Sequence, residues 1–277
     1  MIKAEGFTDG ELAQFRRWQA TSYAVLTEVA GQLSEGSTER DATRLAMRAF
    51  RREGADRFFH LPVALFGERT ALPDPWSTGS FWPTTRALAD GDPVILDASP
   101  TFKGFVVDTS VSLNFGSSPA PDHVSAMADN LGHRSSILEA VRAGATFQEI
   151  AVSVDTRLRE QGYENRHVLH PEAVLGHRVV RFTELESIPP VDPSGFDTYL
   201  LDWFVAGIAE ANRHGSVPPT WNDRRLCHHR PAPGLWAVEP HLARRGLGVK
   251  WEELLVITDS DAYWLSDAVP HLTSGAP

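Results

Sequence analysis

Four carboxylates and one imidazole stand where the apolar pattern of this chain has no ordinary use for charge. Asp97 and Asp108, eleven residues apart, each end an apolar run of the kind that forms a buried β-strand. Glu239 interrupts the run from Gly234, and Glu252 follows Val249-Lys250-Trp251 thirteen residues later, inside a stretch that ends Leu-Leu-Val-Ile-Thr258. Between the two acidic pairs lies Val174-Leu175-Gly176-His177, a histidine at the edge of a strand-like segment. Burying an isolated carboxylate is costly, so carboxylates gathered at the ends of neighbouring strands imply a cation between them. An oxygen-rich set with one nitrogen suits Mn²⁺, Fe²⁺, Co²⁺ or Zn²⁺. Four negative charges exceed what one such ion needs, and two ions bridged by carboxylates would balance them.

Several elements must bring these residues together. Thr8 and Glu11 have the form of a capping box opening a helix over about 8 to 34, and Thr38 with Asp41 opens a second, ending near Gly54. Arg57 to Gly67 reads as a strand entering a loop, and residues 68 to 90, rich in Pro, Ser, Thr, Gly and Trp, read as irregular. The two aspartate-bearing strands follow. After Pro119 and Pro121 the pattern turns helical to about Ala143, and Thr146 with Glu149 caps another helix that stops before Gly162. Strand-like pieces lie near 163 to 169 and 178 to 183, a Pro-containing loop at 186 to 196, an amphipathic helix over about 197 to 214, and a second Pro-rich loop at 217 to 234. Three strands at 235 to 242, 249 to 258 and 262 to 265 close the chain. The order helix, helix, strands thus occurs twice, which predicts two similar halves, although the residues themselves do not repeat.

Composition narrows the partners. With 36 acidic against 26 basic residues the net charge is -10, and no basic block interleaves with aromatics, which argues against nucleic acid or an anionic membrane and for a small or neutral ligand. No apolar run approaches the roughly 18 residues of a membrane span, and the N-terminus lacks the charged and apolar regions of a leader, so a cytoplasmic location is expected. The single cysteine, Cys227, can form no internal disulfide. A length of 277 residues with 42% hydrophobic content is expected to form one domain over 1–277, with an inserted loop and helix at about 186–232.

The order Gly91-Asp-Pro-Val-Ile-Leu-Asp97, Asp108, Gly176-His177, Glu239-Pro240 and Gly248-Val-Lys-Trp-Glu252 resembles metallopeptidase family M24, which includes methionine aminopeptidase, aminopeptidase P, prolidase and creatinase. The resemblance spans nearly the whole chain. It implies the pita-bread fold of the α/β class, two pseudo-symmetric halves with a curved antiparallel sheet flanked by helices and a dinuclear centre in the middle. Carried over, Asp97 would bind one ion, Asp108 and Glu252 would bridge both, and His177 with Glu239 would complete the second. Some members of the family dimerise, so a homodimer is a further expectation.

The sequence also departs from the family. No histidine occurs from 61 to 96, where a substrate-facing one usually follows Leu-Pro; here Leu72-Pro73 leads into Asp74 and a longer loop. The usual Gly-His-Gly-Ile-Gly has become Gly176-His177-Arg178-Val179-Val180, which would place side chains where the family keeps bare backbone near its substrate. Glu184 stands seven residues after His177, where a second histidine is usual, and is a candidate second acid or base beside Glu239. His167, His170, His228 and His229 are candidates to supply the missing imidazoles, and Trp76 and Trp82 to line a pocket mouth. The expectation is a dinuclear metal hydrolase of an amide or related C–N bond in a peptide or small molecule, with a metal-bridging water made nucleophilic near neutral pH. Its alternatives are non-peptidase chemistry on the same fold, a lyase or oxidative step, and a catalytically weak binding protein.

Overall fold

The computed structural model describes residues 1–116, 120–184 and 196–273. The N-terminal half opens with strand β1 (Ile2–Lys3) and helices α1 (Asp9–Gln32) and α2 (Glu39–Arg52). Both helices start in full capping boxes, Thr8 with Glu11 and Thr38 with Asp41, so the first turns satisfy their own backbone N–H groups. Strands β2 (Arg57–Phe58), β3 (Val63–Phe66), β4 (Pro93–Ala98), β5 (Pro100–Phe102), β6 (Phe105–Val106) and β7 (Thr109–Asn114) follow. Between β3 and β4 the segment expected to be irregular contains two short 3₁₀ turns, Gly67–Ala71 and Thr78–Phe81.

The second half repeats the order with α3 (Pro121–Arg142), α4 (Phe147–Glu160), β8 (Glu164–Asn165), β9 (Gly176–Arg178) and β10 (Arg181–Phe182). Helix α5 (Thr198–His214) and strand β11 (Thr220–Trp221) precede β12 (Gly234–Val238), β13 (His241–Arg244), β14 (Leu247–Lys250), β15 (Glu253–Ile257) and β16 (Ala262–Trp264). The strand expected at 235 to 242 is therefore two, broken at Glu239-Pro240, because proline cannot donate to a ladder. Likewise the run 249 to 258 divides at Trp251-Glu252, and 163 to 169 forms only a two-residue strand and a 3₁₀ turn. The loop expected at 186 to 196 falls almost wholly outside the described residues.

All strand pairs are antiparallel, in sheets ordered β1-β10-β6-β5-β2, β11-β9-β12-β15-β16, β14-β13-β8 and β3-β4-β7. Strands β12 and β15 are apolar on both faces. Leu235, Ala237, Leu254 and Val256 pack with α1 and α2, while Trp236, Val238, Leu255 and Ile257 pack with α3 and α4. A strand buried on both faces reads as a continuous apolar run, and the two helix pairs that cover it explain the doubled element order. In β4, Val94, Leu96 and Ala98 enter the first core, so alternation turns Ile95 and Asp97 to the opposite face. Among the described residues no helix is long and apolar enough to cross a membrane.

Candidate metal centre

Each of the five expected donors reaches one cavity of about 290 Å³ between the halves. Asp97 comes from β4, in register with Val63 and Ser110, and Asp108 immediately precedes β7. Glu252 lies at the break between β14 and β15 and bridges to Ser110, while the Tyr23 hydroxyl donates to the Glu252 carbonyl. His177 is the middle residue of β9, and Glu239 immediately follows β12. Gly176 lets β9 lie tight on β12, since a Cβ there would meet the Ala237 carbonyl oxygen at 2.5 Å.

The spacing of the donor atoms is that of groups gathered round cations. His177 Nε2 is 3.4 Å from Asp108 Oδ2 and 3.9 Å from Glu239 Oε1 and Glu252 Oε1. Ligand atoms about 2.1 Å from a shared ion are separated by about 3.0–3.4 Å, longer than most hydrogen bonds and close to these distances. Asp97 Oδ1 and Asp108 Oδ1 are buried with no hydrogen-bond partner, an expensive condition unless a cation supplies one. Two donor groups, His60 with Asp97 and Asp108, and Asp108 with His177 and Glu252, have atoms all within 4.8 Å of one another and share Asp108. The residues present therefore fit divalent cations.

Two histidines correct the expectation that the imidazoles are missing. His60, just after β2, points Nε2 at Asp97 Oδ1 and Asp108 Oδ1, 3.7 Å from each, and its Nδ1 lies 2.9 Å from the Leu61 carbonyl oxygen. At 3.7 Å these are charge contacts. Burial disfavours the imidazolium, but Asp108 and Asp97 outweigh it and hold His60 up at about 9. Its sequence signal is a lone histidine closing the run Arg57-Phe-Phe-His60, directly before Leu61-Pro62 and one residue ahead of the histidine-free stretch 61 to 96.

His170 is the second. Its Nδ1 lies 2.8 Å from Glu239 Oε2 and its Nε2 3.0 Å from His241 Nδ1, and His241 Nε2 donates to the Thr70 carbonyl at 2.8 Å. A carbonyl can only accept, so the chain runs from the Thr70 carbonyl through His241 and His170 to the Glu239 carboxylate and fixes that carboxylate toward the cavity.

One more residue, quoted in the sequence pattern but not expected in the site, lies among the carboxylates. Lys250 Nζ donates to Asp97 Oδ2 and is 2.9 Å from Glu239 Oε2 and 3.1 Å from Glu252 Oε2. Burial opposes its charge, yet Asp97, Glu239 and Glu252 hold the ammonium well above its ordinary value. Against the same burial, His177 and His60 keep Asp108 below the carboxylate range, and Lys250 and His170 keep Glu239 low. Glu252 goes the other way, raised by burial and by the neighbouring Asp108.

Other expectations are corrected. Glu184 stands at the surface, two-thirds exposed and 3.8 Å from the N-terminal amine, because β10 carries it away from the cavity. Arg178, Val179 and Val180 do not crowd the cavity either: Arg178 lies over the Trp236 ring and donates to the Pro233 carbonyl, and the two valines enter separate apolar cores. His167 is buried beside Asn165 and pushed down to about 3 by burial. His229 rests on the Phe147 ring, and neither it nor His228 lines the cavity. Trp82 does line it, while Trp76 packs one layer behind, against Phe81.

The remaining walls are apolar. Helix α5 contributes Leu201, Phe204, Val205 and Ile208, and Phe59 and Phe196 continue the surface. Phe204 stacks on Phe59 at 5.4 Å and meets the His177 ring edge-on at 5.7 Å, so the helix that interrupts the family-like order reaches the donor set itself.

Residues 13–259 match the model of metallopeptidase family M24. Comparison with curated proteins gives no significant sequence match. Among solved structures the chain resembles a prolidase from Pyrococcus furiosus, 18% identical with a TM-score of 0.67, covering 94% of this chain and 65% of that one. It also resembles an X-Pro aminopeptidase from Thermotoga maritima, 17% identical with a TM-score of 0.65, covering 95% of this chain and 62% of that one. A dipeptidase from Pyrococcus horikoshii is 18% identical with a TM-score of 0.68, covering 96% and 62%. At such identity the likeness shows the shared pita-bread fold, and the chain spans less than two thirds of the length of these three proteins.

Proposed function

Starting from the fact that this chain belongs to metallopeptidase family M24, we propose that it is a metal-dependent hydrolase that cleaves an amide bond in a short, apolar substrate. The observation that carries this reading is the convergence of Asp97, Asp108, His177, Glu239 and Glu252, with unpaired buried oxygens, on one end of an apolar cavity. Those five residues would hold the metal, with Mn²⁺ the first ion to test. When bound, a divalent ion there supplies Lewis acidity toward a carbonyl and an activated water.

The chain's own groups divide the remaining work. His60, aimed at the same aspartate oxygens, is placed to stabilise negative charge developing on the substrate or to deliver a proton. Glu239, 2.8 Å from His170 Nδ1 and facing the cavity, is placed to relay a proton to a leaving nitrogen. Leu201, Phe204, Val205 and Phe196 favour a substrate with a bulky apolar group beside the scissile bond. The named activities of its structural relatives, prolidase and X-Pro aminopeptidase, make Xaa-Pro dipeptides the first peptides to try.

The test combines metal analysis with assays of Xaa-Pro dipeptides and small N-acyl amides, anaerobically and in air, with Mn²⁺ or Fe²⁺. Metal-dependent release of amine, indifferent to oxygen and faster for apolar substrates, is the expected result. A strict oxygen requirement would reject hydrolysis, and purified protein that takes up no metal would reject the whole reading.

A further inference from the structure

Lys250 is fixed more firmly than a long, flexible side chain requires. Its backbone N–H donates to Ser112 Oγ at 2.8 Å, and Ser112 Oγ donates back to its carbonyl at 2.6 Å, so β14 is locked to β7 at this residue. Two residues earlier β14 is held as closely: the Gly248 N–H donates to Thr70 Oγ1 at 3.0 Å, and a Cβ on Gly248 would meet the Thr70 carbonyl oxygen at 1.9 Å. The side chain, 5% exposed, is thereby delivered to a point shared by three carboxylates.

The oxygens are partitioned between two sides. Lys250 takes Asp97 Oδ2, Glu239 Oε2 and Glu252 Oε2. The imidazoles face the others: Asp97 Oδ1 and Asp108 Oδ1 toward His60, and Asp108 Oδ2, Glu239 Oε1 and Glu252 Oε1 toward His177. Around His177 four donor residues remain for one divalent ion, a complete set for such a metal. Asp97 offers one oxygen next to an ammonium that already uses the other, and a second ion there would meet a fixed positive charge across the same carboxylate. The four carboxylates then carry one internal ammonium and one divalent ion, leaving one negative charge opposite His60.

We infer that Lys250 is a built-in cation that takes the place of one metal ion, so that this chain binds one divalent ion, at Asp108, His177, Glu239 and Glu252, rather than the two expected from its sequence. Lys250 is a positioning residue: it orients three carboxylates and sets the number of metals. The inference rests on the metal reading of the site given above.

The experiment is equilibrium dialysis of the full chain against Mn²⁺, with metal per chain measured by elemental analysis, for wild type, Lys250→Gln and Lys250→Arg, each refolded with Mn²⁺ if it does not fold without it. Wild type and Lys250→Arg are expected to hold one ion, and Lys250→Gln two. Thermal unfolding in chelator is the second readout: wild type should retain a cooperative transition, while Lys250→Gln should lose at least 5 °C and regain it with Mn²⁺. Two ions of similar affinity in the wild type, or one ion in Lys250→Gln, would overturn the inference and leave the metal reading standing. No ion in any of the three would remove both.

Discussion

Replacing Asp108 by Asn tests the centre most directly, because Asp108 is the vertex common to both donor groups. The substitution keeps the size of the side chain and one acceptor oxygen, but presents an NH₂ group to His60 or His177, whose Nε2 atoms lie 3.7 and 3.4 Å away. In chelator the change should be small. Asp108 repels Glu252 and attracts the two imidazoles, and losing both effects together leaves a net difference of about 1 kcal/mol or less. With metal the proteins should separate. A ligand at about 100 times its dissociation constant stabilises the fold by about 2.7 kcal/mol. For a chain of this size that corresponds to a rise in Tm of about 5–10 °C. Wild type should show that rise on addition of Mn²⁺, followed by calorimetry or near-UV circular dichroism, and Asp108→Asn should show less than about 2 °C, a loss of roughly 50-fold or more in affinity. An undiminished Mn²⁺-dependent rise in the variant would refute the placement of Asp108 at the shared vertex and the reasoning built on it.

Three further outcomes can be measured separately. His133, fully buried in α3 and pushed down to about 4 by burial, takes up its proton in the unfolded chain first; stability is therefore intact above about pH 6.5 and falls by about 2–3 kcal/mol as pH drops toward 4, and His133→Leu should flatten that acid limb in urea titrations. Glu11 is held at about 2 although burial opposes it, by Lys3, Thr8 and Arg181, so its contribution is present above pH 4.5 and is lost as pH falls through 2; Glu11→Gln should cost about 2 kcal/mol at pH 7 and almost nothing at pH 2, and an equal cost at both would contradict the ionic account. Phe204→Ala removes the ring between Phe59 and His177, and should lower kcat/KM about 10-fold to 100-fold for substrates with bulky apolar groups while leaving small ones nearly unchanged.

How far the sequence could be read depended on the kind of residue. The five donors were legible because a carboxylate in an apolar run violates a strong solvation rule wherever it occurs, and the structure brings all five to one cavity. Capping boxes at Thr8, Thr38 and Thr146 were legible because their hydrogen bonds close within four residues. His60 was not singled out and His170 was only one of four candidate histidines, since a histidine is ambiguous in any pattern and their partners are 37 to 71 residues away. Glu184 failed for the converse reason: position relative to His177 says nothing about which way β10 will leave the cavity.

Sequence by itself determined the family, the doubled order of elements and five polar residues of the cavity lining, because these depend on residue type, local periodicity and short-range capping. Tertiary structure alone decided which groups compensate one another. Lys250 ends β14 and Glu252 lies two positions beyond it, a spacing that sequence alone shows, but the meeting of Lys250 with Asp97 and Glu239 depends on how β4, β12 and β14 are packed. Charge balance in a buried site is a sum over atoms within a few ångströms, and that sum exists only after the strands have come together.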